Sequence, residues 1–203
     1  INQPQIAEEI LKKGQADMCG MTRALISDPM MPRKAANGDL DDIRACVACN
    51  QACIGHMLNA CSISCIQRPE TGRELKYANI SKAKLKKSIL IAGGGPAGVK
   101  AACIAADRGH RVTLCEQSNS LGGQINLAQS LPGRAEFGGI ITNLNKELTK
   151  TTVSVRFNRF VNLELIEELA PDVVIAATGA TPYMPEIQGV EEAHVVNAWQ
   201  VLE

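Results

Sequence analysis

The chain has 203 residues, with 21 Lys plus Arg and 21 Asp plus Glu, so its formal net charge is zero. This balance gives no electrostatic case for nucleic acid or an anionic membrane as a partner. Hydrophobic residues make up 45% of the chain, which is enough for a packed core. No apolar run approaches the roughly 20 residues of a membrane-spanning helix. The length predicts one or two domains, and we expect a cytoplasmic protein.

The first 43 residues predict helices joined by short extended segments. Apolar residues at helical spacing predict a helix over PQIAEEILKK that ends at Gly14. Residues 16–19 predict a short buried strand that runs into a loop. The stretch MPRKAANGDLDDIRAC predicts a second helix, a turn at Asn37 and Gly38, and a short helical stretch before the first of several cysteines.

Five of the eight cysteines lie within residues 46–65. Cys46, Cys49, Cys53 and Cys65 have the spacing C-x2-C-x3-C-x11-C, which suits the four thiolates of an iron–sulfur cluster. A zinc ion held by Cys46, Cys49, Cys61 and Cys65 is the alternative interpretation. Disulfides would leave one of the five thiols unpaired. The spacing favours the cluster, with Cys61 as a spare thiol.

Residues 71–87 are polar and basic, which predicts a linker and a domain boundary near Lys87. Beyond this point strands alternate with helices, a pattern that predicts a parallel sheet. The predicted strands are SILIA, RVTLCE, SVRFN and DVVIAATGA, and the predicted helices are PAGVKAACIAADRGH and LELIEELAP.

A glycine-rich loop follows the first of these strands and opens the first helix. Gly93, Gly95 and Gly98 form G-x-G-x-x-G, and the next strand ends in Glu116. In this context the motif predicts a dinucleotide site, with the pyrophosphate at the helix N-terminus and the acidic residue on the ribose. An acid at Glu116 disfavours a 2′-phosphate, so FAD, NAD or ADP is expected rather than NADP. The alternative is a glycine turn without a ligand.

Two further motifs distinguish among these nucleotides. LGGQ contains Gly122, Gly123 and Gln124, and ATGA contains Thr178 and Gly179. Both resemble the FAD domain of flavoprotein disulfide reductases, which favours FAD over NAD. Each motif alone is equally typical of an ordinary turn.

Four stretches in one collinear order carry a wider resemblance: GQADMCGMTRALISDP, DDIRACVACNQACIG, RPETGRE and GGGPAG. Together they resemble the 2,4-dienoyl-CoA reductase / trimethylamine dehydrogenase family, whose members are iron–sulfur flavoproteins with an old-yellow-enzyme-like barrel. The resemblance covers essentially the whole chain. One departure is Arg68 before Pro69, where the family commonly has Asn.

The resemblance implies an α/β fold in four parts. Residues 1–43 would be the C-terminal end of an FMN-binding (β/α)8 barrel, with residues 16–19 as its eighth strand. Residues 44–70 would hold the 4Fe–4S cluster, and residues 71–87 would be the linker. Residues 88–203 would form an incomplete Rossmann-like FAD domain. Because the chain starts at Ile1 and stops within an apolar pattern, we expect it to be a piece of a larger protein.

The resemblance also implies roles for single residues. Thr22 and Arg23 match positions that contact FMN. On the dinucleotide, the matching positions are Ala97 in the phosphate loop, Glu116 at the ribose, Gln124 after the LGG turn, Arg134 in the PGR stretch and Val161 beside the adenine. In the trimethylamine dehydrogenase branch this site holds ADP instead of FAD.

The implied function is an oxidoreductase that passes electrons between NAD(P)H, FAD, a 4Fe–4S cluster and FMN to reduce an enoyl- or dienoyl-type substrate. NAD(P)H would bind a domain after Glu203, and the catalytic residues would lie before Ile1. The alternatives are an amine dehydrogenase or demethylase of the same family, a non-catalytic electron-transfer module, and a zinc-stabilised nucleotide-binding domain. A homo-oligomer or an electron-transfer partner fits each of the redox functions.

Overall fold

The computed structural model describes residues 1–77 and 79–202. Ala78, inside the predicted linker, and Glu203, the last residue of the predicted FAD domain, lie outside the described residues. The α-helices are α1 (Pro4–Lys12), α2 (Thr22–Ser27), α3 (Met31–Asn37), α4 (His56–Leu58), α5 (Glu74–Tyr77), α6 (Pro96–Asp107), α7 (Gln124–Ala128), α8 (Gly138–Thr149), α9 (Leu163–Leu169) and α10 (Ala198–Leu202). The strands are β1 (Ser88–Ala92), β2 (Arg111–Cys115), β3 (Ser154–Arg156) and β4 (Val173–Ala176).

The N-terminal part of the described chain, residues 1–77, consists of helices and loops. The predicted first helix is confirmed as α1, which has Pro4 at its first position, where the missing N–H costs nothing. The predicted second helix is confirmed as α3, which ends at Gly38 with a left-handed φ of 80°.

The predicted strand over residues 16–19 is wrong. These residues form no strand, and the side chain of Met18 is 86% exposed. A strand requires a neighbouring strand to satisfy its backbone hydrogen bonds. The four strands of the described residues all belong to one sheet between positions 88 and 176, so nothing in the described chain pairs with this segment.

The sheet is parallel throughout, with the order β3-β2-β1-β4. Ile89 of β1 lies opposite Val112 of β2 on one side and Val173 of β4 on the other. All four predicted strands, and the predicted helices α6 and α9, are confirmed. The α/β class with a parallel sheet is therefore confirmed as well.

The two faces of the sheet are covered by different helices. Ile89 and Ile91 of β1 pack with residues of α6 and α8 in the larger core cluster. Leu90, between them in sequence, packs with Leu165 of α9 in a separate cluster. Since successive strand residues point to opposite faces, the sheet is doubly wound. Strands β2 and β3 are added on one side of β1, and β4 is added on the other side. The carboxyl ends of β1 and β4 therefore mark the switch point where ligands bind in open α/β sheets.

The cysteine-rich segment packs onto the same domain. Val47 is 4% exposed and belongs to the larger core cluster, and Cys49 packs against that cluster. Among residues 1–77 and 79–202, no helix is both long and apolar enough to cross a membrane.

Candidate functional site

The phosphate loop at the carboxyl end of β1 leaves no room for two side chains. Gly93 has a φ of 109°, and a Cβ placed on it would overlap the carbonyl oxygen of Ala177 after β4. A Cβ on Gly98 would overlap the carbonyl oxygen of Gly93. The loop, the start of α6 and the end of β4 therefore touch through backbone, as the motif predicts.

Gly95 is different, because a Cβ placed on it would meet no atom of the described residues within 4 Å. Gly95 is the N-cap of α6, and no side chain caps this helix. The first turn of α6, including Ala97, has backbone N–H groups without intrahelical acceptors. Open space in front of free N–H groups is the arrangement that binds phosphate oxygens at a helix N-terminus.

Glu116 follows β2 and faces the phosphate loop. It is 7% exposed, and its Oε2 accepts a hydrogen bond from the backbone N–H of Gly94 at 2.6 Å. Its Oε1 accepts from the backbone N–H of Ser118 at 2.8 Å and from the Ser118 hydroxyl at 2.9 Å. Burial by itself would raise the pKa of Glu116, but these hydrogen bonds outweigh it and lower the pKa. A carboxylate has about four acceptor positions, so one remains for a ribose hydroxyl.

The LGGQ and ATGA motifs meet the phosphate loop. The backbone N–H of Gly122 donates to the carbonyl of Gly94 at 3.0 Å, and a Cβ on Gly123 would lie 3.3 Å from the Cα of Gly95. The Gln124 side chain donates from Nε2 to the carbonyl of Ala180 at 2.9 Å.

A Cβ placed on Gly179 would lie 2.9 Å from the Gln124 Nε2, so the two motifs are in close contact. Thr178 lies beside Gly93, since a Cβ on Gly93 would be 3.3 Å from the Thr178 Cα. The structure thus brings together ten of the twelve residues predicted for the dinucleotide: Gly93, Gly95, Ala97, Gly98, Glu116, Gly122, Gly123, Gln124, Thr178 and Gly179.

The other two predicted dinucleotide residues lie outside this group. Arg134 is exposed, and its guanidinium lies 5.6 Å from the ring centre of Phe137. Val161 is half-buried against the cluster of Leu90, Cys115 and Leu165, on the face of the sheet that α9 covers. Cys115 directly precedes Glu116, which puts Val161 near the ribose position rather than at the phosphate loop.

The second candidate site is a narrow cavity that we call the cysteine cavity. Its lining contains all four predicted ligands, Cys46, Cys49, Cys53 and Cys65. Burial raises the pKa of the Cys49 thiol, and the nearby thiols of Cys53, Cys65 and Cys46 raise it further. The spare thiol of Cys61 is exposed and does not contribute to the lining.

The backbone of the cysteine loop makes this arrangement possible. Ala48 and Asn50 have left-handed φ values of 53° and 57°, which turn the chain sharply on either side of Cys49. Residues Gln51–Gly55 form a single π-helical turn that carries Cys53. The N–H of Ser64 donates to the carbonyl of Ala52 at 2.7 Å, which places Cys65 beside Cys53.

The geometry bears on the choice between zinc and a cluster. In residues 1–77 and 79–202, no group of three or more His, Cys, Asp or Glu side chains is arranged to hold one metal ion. A single zinc would bring its sulfurs to about 3.8 Å from one another, since each Zn–S bond is about 2.3 Å. The thiolates of a cluster bind different irons and stand further apart. The zinc alternative needs Cys61, which is exposed and does not line the cavity that the other four cysteines share.

Thr22 and Arg23, the predicted FMN contacts, open helix α2 and are both exposed. Arg23 Nη1 donates a hydrogen bond to Asn50 Oδ1, and Arg23 also lines the cysteine cavity. The sequence analysis missed Asn50 and gave no reason to join Arg23 to the cysteine loop. Gln67, also missed, lines the same cavity, and its amide donates to the carbonyl of Ala45 at 2.8 Å.

Comparison with known proteins gives consistent matches. The sequence model of the pyridine nucleotide-disulphide oxidoreductase family matches residues 87–201. An NADH oxidase from Thermoanaerobacter brockii is 42% identical over 205 residues, covering 100% of this chain and 32% of that protein.

Two solved structures superpose well. A 2-naphthoyl-CoA reductase matches 99% of this chain and 31% of its own, with a TM-score of 0.91 and 35% identity. A histamine dehydrogenase from Rhizobium sp. 4-9 matches 97% of this chain and 29% of its own, with a TM-score of 0.82 and 29% identity. The chain thus spans about a third of the length of these relatives.

Proposed function

Because the chain belongs to the pyridine nucleotide-disulphide oxidoreductase family, we propose that it is the electron-transferring part of an iron–sulfur flavoprotein oxidoreductase. The relatives also confirm the resemblance to the 2,4-dienoyl-CoA reductase / trimethylamine dehydrogenase family. The observation that carries the proposal is the pairing of two sites in one chain. The glycine-rich loop, Glu116 and the LGGQ and ATGA motifs meet at the switch point of the sheet, and four thiols line a cavity packed on the same core.

At the first site we propose FAD, with ADP as the alternative. The phosphate loop from Gly93 to Gly98 and the first turn of α6 would hold the pyrophosphate. Glu116 would accept from the ribose, and its charge would repel a 2′-phosphate. The LGGQ and ATGA motifs would lie along the dinucleotide, with Gln124 fixing their separation through its bond to Ala180. Arg134 and Val161 would contact it outside the phosphate loop.

At the second site we propose a 4Fe–4S cluster held by Cys46, Cys49, Cys53 and Cys65. Support comes from the shared cavity and from the exposure of Cys61. Apolar side chains from Ile26, Val47 and Ile66 also line the cavity and would exclude water from the cluster.

We further propose that residues 1–43 belong to the end of an FMN-binding barrel, with Thr22 and Arg23 near the FMN phosphate. Residues 44–70 would be the cluster segment, residues 71–87 the linker and residues 88–203 the FAD domain. The guanidinium of Arg23 has five N–H donors, so its bond to Asn50 leaves donors for a phosphate.

Bound FAD, cluster and FMN would supply hydride and single-electron transfer, and this chain's residues would bind, orient and tune them. For the whole protein we propose the reduction of an enoyl- or dienoyl-type substrate by NAD(P)H. The similarity to a 2-naphthoyl-CoA reductase supports this direction. The similarity to a histamine dehydrogenase supports the second candidate, oxidation of an amine. Anaerobic assays with enoyl-CoA plus NAD(P)H, and with secondary and tertiary amines plus an artificial acceptor, distinguish the two.

The cluster assignment predicts different outcomes for two kinds of cysteine substitution. Each of Cys46→Ser, Cys49→Ser, Cys53→Ser and Cys65→Ser should lose most of the iron and acid-labile sulfide of the purified protein, because a cubane needs all four thiolates. The matched control, Cys61→Ser, should keep both. Iron, zinc and sulfide are measured on the same samples. Stoichiometric zinc in the parent protein, or an equal loss of iron in Cys61→Ser, contradicts the assignment.

A further inference from the structure

Arg23 is the charged residue of the cysteine cavity. Of the described residues that line the cavity, it is the only Lys, Arg, Asp or Glu. The rest of the lining consists of the four thiols, apolar side chains and the amides of Asn50 and Gln67. Arg23 is exposed, so water screens part of its charge, but the cavity that it lines has apolar walls, beside which a charge acts more strongly than in bulk water.

Asn50 holds Arg23 in this place. The Oδ1 of Asn50 accepts a hydrogen bond from Arg23 Nη1, across 27 positions of sequence. Asn50 lies directly after Cys49 in the left-handed conformation, and its carbonyl accepts from the N–H of Gly55 at 2.8 Å. Its side chain therefore leaves the loop from a fixed backbone position directly after Cys49.

We propose that Arg23 raises the reduction potential of the cluster and that Asn50 positions it to do so. This inference rests on the cluster assignment proposed above. Reduction transfers one electron to the cluster and adds one negative charge, which the guanidinium stabilises. Net charge and hydrogen bonding around the sulfurs are among the factors that set the potential of such clusters.

The test is a redox titration of the cluster in the purified protein, with dithionite as the electron donor and the EPR signal of the reduced cluster as the readout. Arg23→Gln should lower the equilibrium constant for one-electron reduction about three- to tenfold, which corresponds to about 30 to 60 mV. Arg23→Lys keeps the positive charge, so its reduction potential should differ from that of the parent protein by no more than a third of that shift.

Two further variants separate charge placement from a structural role. Asn50→Gly keeps the left-handed backbone conformation but removes the acceptor of Arg23, so the potential should fall by a smaller amount. Arg33→Gln is the matched control, because Arg33 is exposed on α3 and does not line the cavity. It should leave the potential within error of the parent protein.

Iron and sulfide contents distinguish failure of this inference from failure of the cluster assignment. A parent protein without iron and sulfide overturns both. A fully loaded Arg23→Gln protein with an unchanged potential overturns the role of Arg23 alone, as does an equal shift in Arg33→Gln. If Arg23→Gln does not hold iron, the potential of the Asn50→Gly protein becomes the test. An unchanged potential in Asn50→Gly overturns the inference.

Discussion

Gly95 and Gly98 of the phosphate loop have different surroundings. A side chain at Gly98 would disturb the packing of the protein, whereas a side chain at Gly95 would enter open space. At Gly98, any side chain collides with the backbone of Gly93. At Gly95, no atom of the described residues lies near the position of a Cβ, and the φ of −73° is one that alanine adopts freely. The packing of the protein itself therefore requires Gly98, whereas we expect the bound ligand to require Gly95.

We therefore predict that Gly98→Ala and Gly95→Ala fail in different ways. Gly98→Ala should lower the free energy of unfolding by about 1–3 kcal/mol, because helix and strand must move apart. Gly95→Ala should stay within about 0.5 kcal/mol of the parent protein and still lose most of its bound adenine nucleotide. Urea unfolding and analysis of acid-released nucleotide measure the two effects. A Gly95→Ala protein that retains nucleotide as tightly as the parent argues against a pyrophosphate at this loop.

Glu116 accepts a hydrogen bond from the phosphate loop, and we expect it also to accept one from the ribose of the ligand. Glu116→Gln should weaken nucleotide binding by one to two orders of magnitude, because a hydrogen bond to a charged group is worth about 1.5–3 kcal/mol. The exposed Glu167→Gln is the control and should bind as the parent does.

The pKa of Glu116 is lowered by folding, so its contribution to stability is present above its ordinary value of 4.5 and is lost as the pH falls below that value. Acid unfolding of Glu116→Gln should accordingly depend less on pH in this range than that of the parent protein. An equally steep dependence contradicts the stabilising role of its carboxylate.

At the scale of elements, the segment before the cysteine cavity is attached to the dinucleotide domain by charges. Arg44 pairs with Glu147 on α8 and donates from Nε to Asn143 Oδ1 at 3.1 Å. Lys100 of α6 pairs with the other oxygen of Glu147 at 3.0 Å. Burial would raise the pKa of Glu147, but the positive charges of Arg44 and Lys100 outweigh it and lower the pKa.

Glu147→Gln should therefore destabilise this attachment by about 2 kcal/mol, since it leaves two partly buried cations without their carboxylate. The difference should be present at pH 7 and shrink below pH 4.5, where protonation removes the same charge from the parent protein. Urea unfolding at both pH values, with the exposed Glu136→Gln as control, measures it. A loss that persists unchanged at pH 3 would argue for packing instead of charge.

The elements also show which parts of the fold the sequence could predict. Strands β1, β2 and β4 are apolar runs that end in a glycine or in an acidic residue, and such local signals are sufficient. Helix α8 was not predicted, because it begins with Gly138 and Gly139 and has no capping side chain. Its apolar face is stabilised by contact with α6, which is a property of the folded chain.

The site residues also fall into two groups: those with a local sequence signal and those joined only by tertiary contacts. Gly93, Gly95 and Gly98 lie between β1 and α6, and Glu116 directly follows β2, so all four belong to one βαβ unit and their convergence could be expected from the sequence. The contacts of Arg23 with Asn50 and of Arg44 with Glu147 join residues 27 and 103 positions apart. No periodicity or spacing predicts such pairs, because only the tertiary structure brings them together.

At the scale of the whole molecule, the two sites lie in a chain that spans about a third of the length of its relatives. The described residues contain one parallel sheet with one phosphate loop, and a (β/α)8 barrel requires eight strands to close. The proposed adenine nucleotide site and the cysteine cavity are each built from residues of this chain. This chain is expected to contribute only Thr22 and Arg23 to the FMN site.

We therefore expect residues 1–203 by themselves to bind FAD or ADP and to retain iron, but not to couple NAD(P)H oxidation to reduction of an enoyl-CoA. Large apolar side chains such as Leu75, Leu85 and Tyr183 are more than 70% exposed, so this chain should also associate or precipitate more readily than a protein in which they are covered. Calorimetry with FAD and ADP, iron analysis and anaerobic NAD(P)H assays test these expectations on one preparation. Turnover of an enoyl-CoA by the 203-residue chain would show that its own residues complete the catalytic site, and an absence of nucleotide binding would contradict the nucleotide site proposed at the phosphate loop.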